Sequence, residues 1–210
     1  MSESISTTGR LEAFSDGVFA IAITLLVLEV KVPHVRDGDL ARALGDQWPS
    51  YVAYMLTFVV IGIMWINHHR IFDRIAAVDR GLLFVNLMML MGIAFLPFPT
   101  ALLADYVVEG GTNANVSAAV YSATMFAIGL TFLGLWLYLD RHRDLLRPEV
   151  DDVVIHASIR RTVPGPALYG ASIAVAFVSA EACLVVYALL AAYFAVGGSP
   201  EKLSNRDDAA

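Results

Sequence analysis

The chain alternates long apolar runs with short polar connections. Runs of the roughly 17 to 25 residues that a bilayer-crossing helix requires fall at about 13–30, 48–67, 81–104, 116–139, 163–181 and 182–198. They predict an all-α membrane protein with six spans per subunit. The last two form one stretch of about 36 residues, broken only by Ser179, Ala180 and Glu181. One helix of that length would project well beyond a bilayer, so a tight hairpin is favoured, with one long tilted helix as the alternative. Between the first two runs, residues 31–50 (KVPHVRDGDLARALGDQWPS) are polar with Leu40, Ala43 and Leu44 interspersed, which predicts a short outer interfacial helix ending at Trp48. Trp48, Tyr51 and Tyr106 are the aromatic residues expected at that interface. Pro97 and Pro99 remove two backbone donors and predict termination or a kink of the third helix near the outer surface. Residues 140–162 read as a charged, solvated helical connection and 199–210 as a polar cytoplasmic tail, leaving 1–198 as one transmembrane domain.

Composition agrees with the pattern. Of 210 residues, 58% are hydrophobic and 16% charged, against about a quarter charged in soluble domains; mean hydropathy is +0.65. The N-terminal MSESISTTGR lacks the basic region of a signal peptide, so the first run is expected to be retained. Of the lysines and arginines, eleven fall on the side holding Arg10, the 67–80 connection, the 140–162 connection and the tail, and three (Lys31, Arg36, Arg42) on the other. By the positive-inside rule both termini are cytoplasmic, in a multi-pass protein of the cell membrane. A net charge of −6 provides no broad basic surface and argues against nucleic acid as a partner. The one cysteine, Cys183, lies in an apolar run and is expected to be a small buried hydrophobe. No internal repeat links the spans, so a central pathway would have to be enclosed by identical chains.

The residues that could carry chemistry are few. His68-His69 with Asp73 lacks a third ligand at metal spacing; no resident metal, no cofactor and no catalytic constellation is expected, and an enzyme is disfavoured. No carboxylate sits near the middle of a span, where a proton or cation carrier places one. Polar groups instead gather at the mouth of the first span, Arg10-Leu11-Glu12-Ala13-Phe14-Ser15-Asp16. Arg10 and Asp16 are six apart and point to nearly opposite sides, so Ser15 and Asp16 are expected to meet donors from another helix. The candidates at matching depth are Trp65, Asn67, His68 and His69. Further along, Gly17, Ile21, Thr24 and Leu28 follow 4-3-4 spacing and share one stripe at about 100° per residue. The plain alternative is ordinary packing, with Thr24 bonded back to Ala20. The functional reading makes Ile21 and Leu28 apolar constrictions and Thr24 a ring of hydroxyls around a shared axis.

The Arg10-x-x-x-Phe14-Ser15-Asp16 motif opening an N-terminal apolar span resembles the signature of the TMEM175 family of potassium channels in its prokaryotic single-repeat form. The Trp65-x-x-x-His69 end of the second span and the Asn86–Pro99 stretch of the third fit as well, so the resemblance covers the chain to about residue 104. It implies a homotetramer embedded in membrane lipid that passes potassium ions through a pore lined by the first helix, with constriction and selectivity at Ile21, Thr24 and Leu28. No TVGYG-type filter is present. The resemblance also implies that Arg10, Phe14, Ser15, Asp16, Trp65 and His69 form a structural and gating network, with no bound metal apart from permeating K⁺. A proton-coupled secondary transporter using Asp16 and His69 is the rival.

Overall fold

The computed structural model describes residues 8–36 and 38–196; the expected tail 199–210 lies outside them. The elements are α1 (Thr8–Leu25), closing in a 3-10 turn (Leu26–Glu29), α2 (Leu40–Asp46), α3 (Trp48–Phe72), α4 (Arg80–Phe95), α5 (Pro97–Tyr106) and α6 (Gly111–Arg141), followed by a second 3-10 turn (Arg143–Leu145), α7 (Asp152–Thr162), α8 (Pro164–Ala176) and α9 (Ala180–Val196). Among the described residues the one non-helical pairing is an antiparallel bridge between Ile75 and Leu146.

Among the described residues, four helical stretches are long and apolar enough to cross a membrane: Thr8–Glu29, Trp48–Phe72, Arg80–Tyr106 and Gly111–Arg141. The fifth and sixth runs fold differently from the expected pair of full spans. Helix α8 has 13 residues, about 20 Å at the α-helical rise, and stops short of the expected boundary at 181. The chain reverses at 177–179, and Ser179 caps α9 by accepting from the N–H of Ala182 (3.1 Å). The reversal is the expected hairpin: the Cys183 thiol donates back to the carbonyl of Ser172 (3.4 Å), and a Cβ at Gly165 would touch Phe194. Helix α8 continues the direction of α7, since Val163 is helical and serves both. Only the break in hydrogen bonding at Pro164 separates them.

The prolines in the third run kink the helix and do not end it. Pro97 cannot donate to the carbonyl of Ile93, which accepts instead from Leu96 (3.1 Å), and the helix resumes as α5 for ten residues. Pro97 and Pro99 are buried, and the hydroxyl of Thr100 satisfies the carbonyl of Leu96 (2.9 Å). The outer short helix is present as α2, but it ends at Asp46 and Trp48 opens the next helix.

The connection expected to be solvated is largely packed. Leu145, Leu146 and Ile155 are buried with Ile75, Val78, Leu82, Leu135 and Leu139 in a second apolar core at the end of the bundle where α3 closes and α4 opens. The main chain reinforces it, with Ala76 donating to Leu145 (2.8 Å) and Arg147 to Arg74 (2.9 Å). Charged residues in this segment mark its wet face; the interleaved leucines and isoleucine mark the buried one. The main core lies between α1, α3, α4, α6 and α9 around Phe19, Ile61, Met89, Met125 and Tyr187.

One residue joins two helices at the second core. Asp79 caps α4 by accepting from the N–H of Leu82 (2.8 Å), and its other oxygen accepts from the Tyr138 hydroxyl of α6. Gly81 leaves room for this contact, because a side chain there would collide with that hydroxyl. Replacing Asp79 with Ala removes the cap, a loss of about 1 kcal/mol, together with the tyrosine's acceptor. The thermal midpoint of the purified protein is expected to fall for Asp79→Ala and to fall less for Asp79→Asn; equal stability of Asp79→Ala and the parent would contradict this role.

Candidate functional site

Helix α1 carries its residues on two opposite stripes. Leu11, Ser15, Phe19, Ala22 and Leu26 are all under 10% exposed and face α3 and α4, following the 3–4 spacing of a packed helix face. On the other side, Ile21 is 58% and Leu28 71% exposed, and Gly17 and Thr24 are exposed with them. Arg10 and Phe14 extend this open stripe downward and are exposed too. The whole series, 10-14-17-21-24-28, steps by 4-3-4-3-4. That alternation is the seam along which helices pack around a common axis.

The buried stripe is locked by hydrogen bonds. The Ser15 hydroxyl donates to the Leu11 carbonyl (2.8 Å) and accepts from Asn86 Nδ2 (3.0 Å). Asn86 Oδ1 lies 2.9 Å from His68 Nε2, so the imidazole nitrogen carries the hydrogen there. Ser15, His68 and Asn86 are each no more than 1% exposed. The His68 ring stacks on Phe72 at 4.2 Å and is tilted against Phe19 at 5.3 Å, which fixes its orientation. A serine, an amide and an imidazole from three helices thus satisfy one another in an apolar interior, where each alone would be costly.

Beside this chain, the Trp65 indole donates to Asp16 Oδ1 (2.8 Å). The pair is the expected inter-helix partner for Asp16, and it is partly open to solvent. Trp65 also stacks with His69 at 5.9 Å, while His69 Nε2 stands 3.7 Å from Asp73. Of the six residues expected to form a network, the structure joins Ser15 to Asn86, and Asp16 to Trp65 and through its ring to His69. It does not bring in Arg10 or Phe14: Arg10 makes no hydrogen bond or ion pair with another described residue, and Phe14 is 53% exposed. Both lie on the open stripe, which in one chain has nothing opposite it.

Two residues of the buried lock have no separate role in the sequence reading: His68 is one of four possible donors, and Asn86 only the start of the Asn86–Pro99 stretch. The signal was Asn86 itself, the one amide in the apolar run 81–104, because such a group needs a partner inside the protein. Thr24 has the back-bond foreseen for it, donating to the carbonyls of Ala20 (2.9 Å) and Ile21 (3.0 Å). That bond uses the hydroxyl's hydrogen and leaves oxygen lone pairs outward. Among the described residues no cluster of His, Cys, Asp and Glu could hold a metal ion.

An apolar helical bundle, with its first helix locked inward by polar bonds and an open heptad stripe outward, is the architecture of a membrane-embedded protein. Residues 10–97 match the family described as "Endosomal/lysosomal potassium channel TMEM175". A protein of Streptomyces collinus named as a potassium channel is 49% identical over 93% of this chain and 95% of its own length. The crystal structure of a lysosomal potassium-selective channel TMEM175 homolog from Chamaesiphon minutus superposes with a TM-score of 0.79 at 42% identity, covering 91% of this chain and 98% of that one. A Gallus gallus protein named as an endosomal/lysosomal proton channel TMEM175 is 32% identical over 66% of this chain, which spans 30% of its length. The chain belongs to the TMEM175 family, whose members are ion channels and not enzymes.

The lock makes a quantitative expectation. Removing the Ser15 hydroxyl leaves a buried Asn86 N–H unpaired, at a cost of about 1–3 kcal/mol. A thermal-stability double-mutant cycle of Ser15→Ala with Asn86→Ala should yield a coupling of about 0.5 kcal/mol or more. Strict additivity would show that the two side chains do not support each other.

Proposed function

We propose that the protein is a potassium-permeable cation channel, assembled as a homotetramer in the cell membrane, with six crossings per subunit, both termini cytoplasmic and α1 lining the central pore. The observation that carries this reading is the open 4-3-4-3-4 stripe on α1, placed opposite a face held by buried hydrogen bonds. Four copies of that stripe around an axis put Ile21 and Leu28 toward one another as apolar rings, with Thr24 between them. The Thr24 oxygens, their hydrogens already given to the backbone, then offer acceptors to a partly dehydrated cation. Arg10 and Phe14 lie at the cytoplasmic mouth on the same stripe. Asp16, Trp65 and His69 flank it and set the tilt of α1, while Ser15 acts with Asn86 and His68 at the buried lock.

The names of the bacterial relatives favour K⁺ as the ion, and the vertebrate relative's name makes H⁺ the second ion to measure. Short helices α8 and α9 complete the subunit as a hairpin, with α7 lengthening the fifth crossing. The carrier reading makes Asp16 and His69 the coupling pair. Both touch Trp65, yet neither lies in the middle of a span, where a carrier places its ionisable group.

Single-channel recording of reconstituted protein under bi-ionic K⁺/Na⁺ conditions tests the proposal. Discrete K⁺ currents exceeding Na⁺ currents are expected. Saturating flux that follows a pH gradient and requires the Asp16 carboxylate would favour the carrier. Replacing Ile21 or Leu28 with Ala should raise conductance or loosen ion preference several-fold, and Asp16→Ala should reduce assembly or opening. Wild-type currents in all three variants would overturn the assignment of the pore.

A further inference from the structure

A cavity of about 150 Å³ opens between α3, α6, the α7–α8 junction and α9, away from the α1 stripe. Its wall is apolar over most of its length, with Met125, Phe132, Leu190 and Phe194 among the lining residues. At one end the lining changes character: Arg70 and Arg74 come from the end of α3, and Arg161 from the end of α7. This is the arginine-rich end of the bundle. Among the described residues no carboxylate lies within ion-pair distance of any of the three guanidinium groups. Asp73, the acid neighbouring Arg74, stands against His69. Arg74 donates one bond to the Arg70 carbonyl. One terminal nitrogen of Arg161 is buried and has no hydrogen-bond partner.

Three cations crowded at the mouth of an apolar chamber, one with a sealed and unsatisfied donor, are an arrangement that repels itself until an anion arrives. A buried guanidinium N–H left unpaired is costly, and phosphate matches its fork geometry. The neighbouring hydroxyls do not compete as donors, because Ser158 and Thr162 give their hydrogens to the carbonyls of Val154 and Ser158. A ligand that meets both halves of the site needs a phosphate at one end and a hydrocarbon chain at the other.

We propose that this cavity is a binding site for an anionic phospholipid of the leaflet on the arginine-rich side, with its phosphate on Arg161, Arg70 and Arg74 and part of one acyl chain in the apolar chamber. The site is separate from the pore stripe and depends on membrane location alone, so it stands whether or not the pore is assigned correctly. It is nevertheless connected to α1, since α3 carries Arg70 and Arg74 toward the lipid and His68 toward the lock.

Native mass spectrometry and thermal shift of the detergent-solubilised protein, with phosphatidylglycerol, phosphatidylcholine or inorganic phosphate added, test this. Phosphatidylglycerol should bind at least tenfold more tightly than phosphatidylcholine and raise the thermal midpoint, whereas inorganic phosphate should do neither at matched concentration. Arg161→Gln should weaken phosphatidylglycerol binding about tenfold, Arg161→Lys should restore part of it, and Ala191→Trp, which fills the apolar chamber, should weaken it with all three arginines intact. Equal binding of the two lipids, binding unchanged in Arg161→Gln, or phosphate binding as tightly as the lipid would each overturn the proposal.

Discussion

Asn86 holds Ser15 of α1 with its amide nitrogen and His68 of α3 with its oxygen, and the rotational setting of α1 follows from that grip. In a bundle whose surroundings are apolar on every side, hydrophobic contact alone does little to distinguish one face of a helix from another. A hydrogen bond does, because turning the helix strands a donor where water is absent. At about 100° per residue, fixing Ser15 inward fixes Phe19, Ala22 and Leu26 inward with it. Gly17, Ile21, Thr24 and Leu28 are then turned outward with no freedom left.

The rest of the subunit steadies the helices that do the holding. Helix α3 is flanked on one side by α1 and on another by the α6–α9 assembly, and its end is closed by the second apolar core, where the 140–162 connection folds back onto Ile75 and Val78. Asp79 binds α4 to α6 about two helical turns before Asn86. Helix α4 therefore presents Asn86 from a position set by both a cap and a cross-helix bond. At the opposite end, Lys31 pairs with Asp105 (2.8 Å), which holds the Lys31 amine above its ordinary range, by hydrogen bond first and charge second. That pair joins the far ends of the first and third apolar runs, so α1 is tethered near both of its ends.

Much of this was legible in the chain because membrane proteins write their spans in composition. The first four spans, the short helix after the first, the hairpin of the last two runs and the set of four residues that holds the partner of Asp16 follow from run length, spacing and the cost of polar groups in lipid. What the sequence hides depends on partners distant along the chain. Residues 140–162 looked solvated because their charges dominate the average, whereas Leu145, Leu146 and Ile155 find a core supplied by α3 and α6. Pro97 and Pro99 break a local hydrogen-bond ladder, but whether a helix resumes depends on the packing that receives it. His68 and His69 are adjacent and alike in type, and only the third helix decides that His68 is the buried one. Arg10 and Phe14 share the open stripe with Ile21, and among the described residues of one subunit Arg10 has no hydrogen-bond or ion-pair partner.

The central claim is that the outward stripe of α1 faces the ion. Substituted-cysteine modification tests it most directly, in a background where buried Cys183 is replaced by Ala and the reconstituted protein is probed with a small thiol-reactive cation. Cysteines at Ile21, Thr24 and Leu28 should react with loss of K⁺ current and be protected by high K⁺, while cysteines at Phe19, Ala22 and Leu26 should remain unreactive. Block from the inward stripe, or reaction at the outward stripe that leaves the current unchanged, would contradict the account.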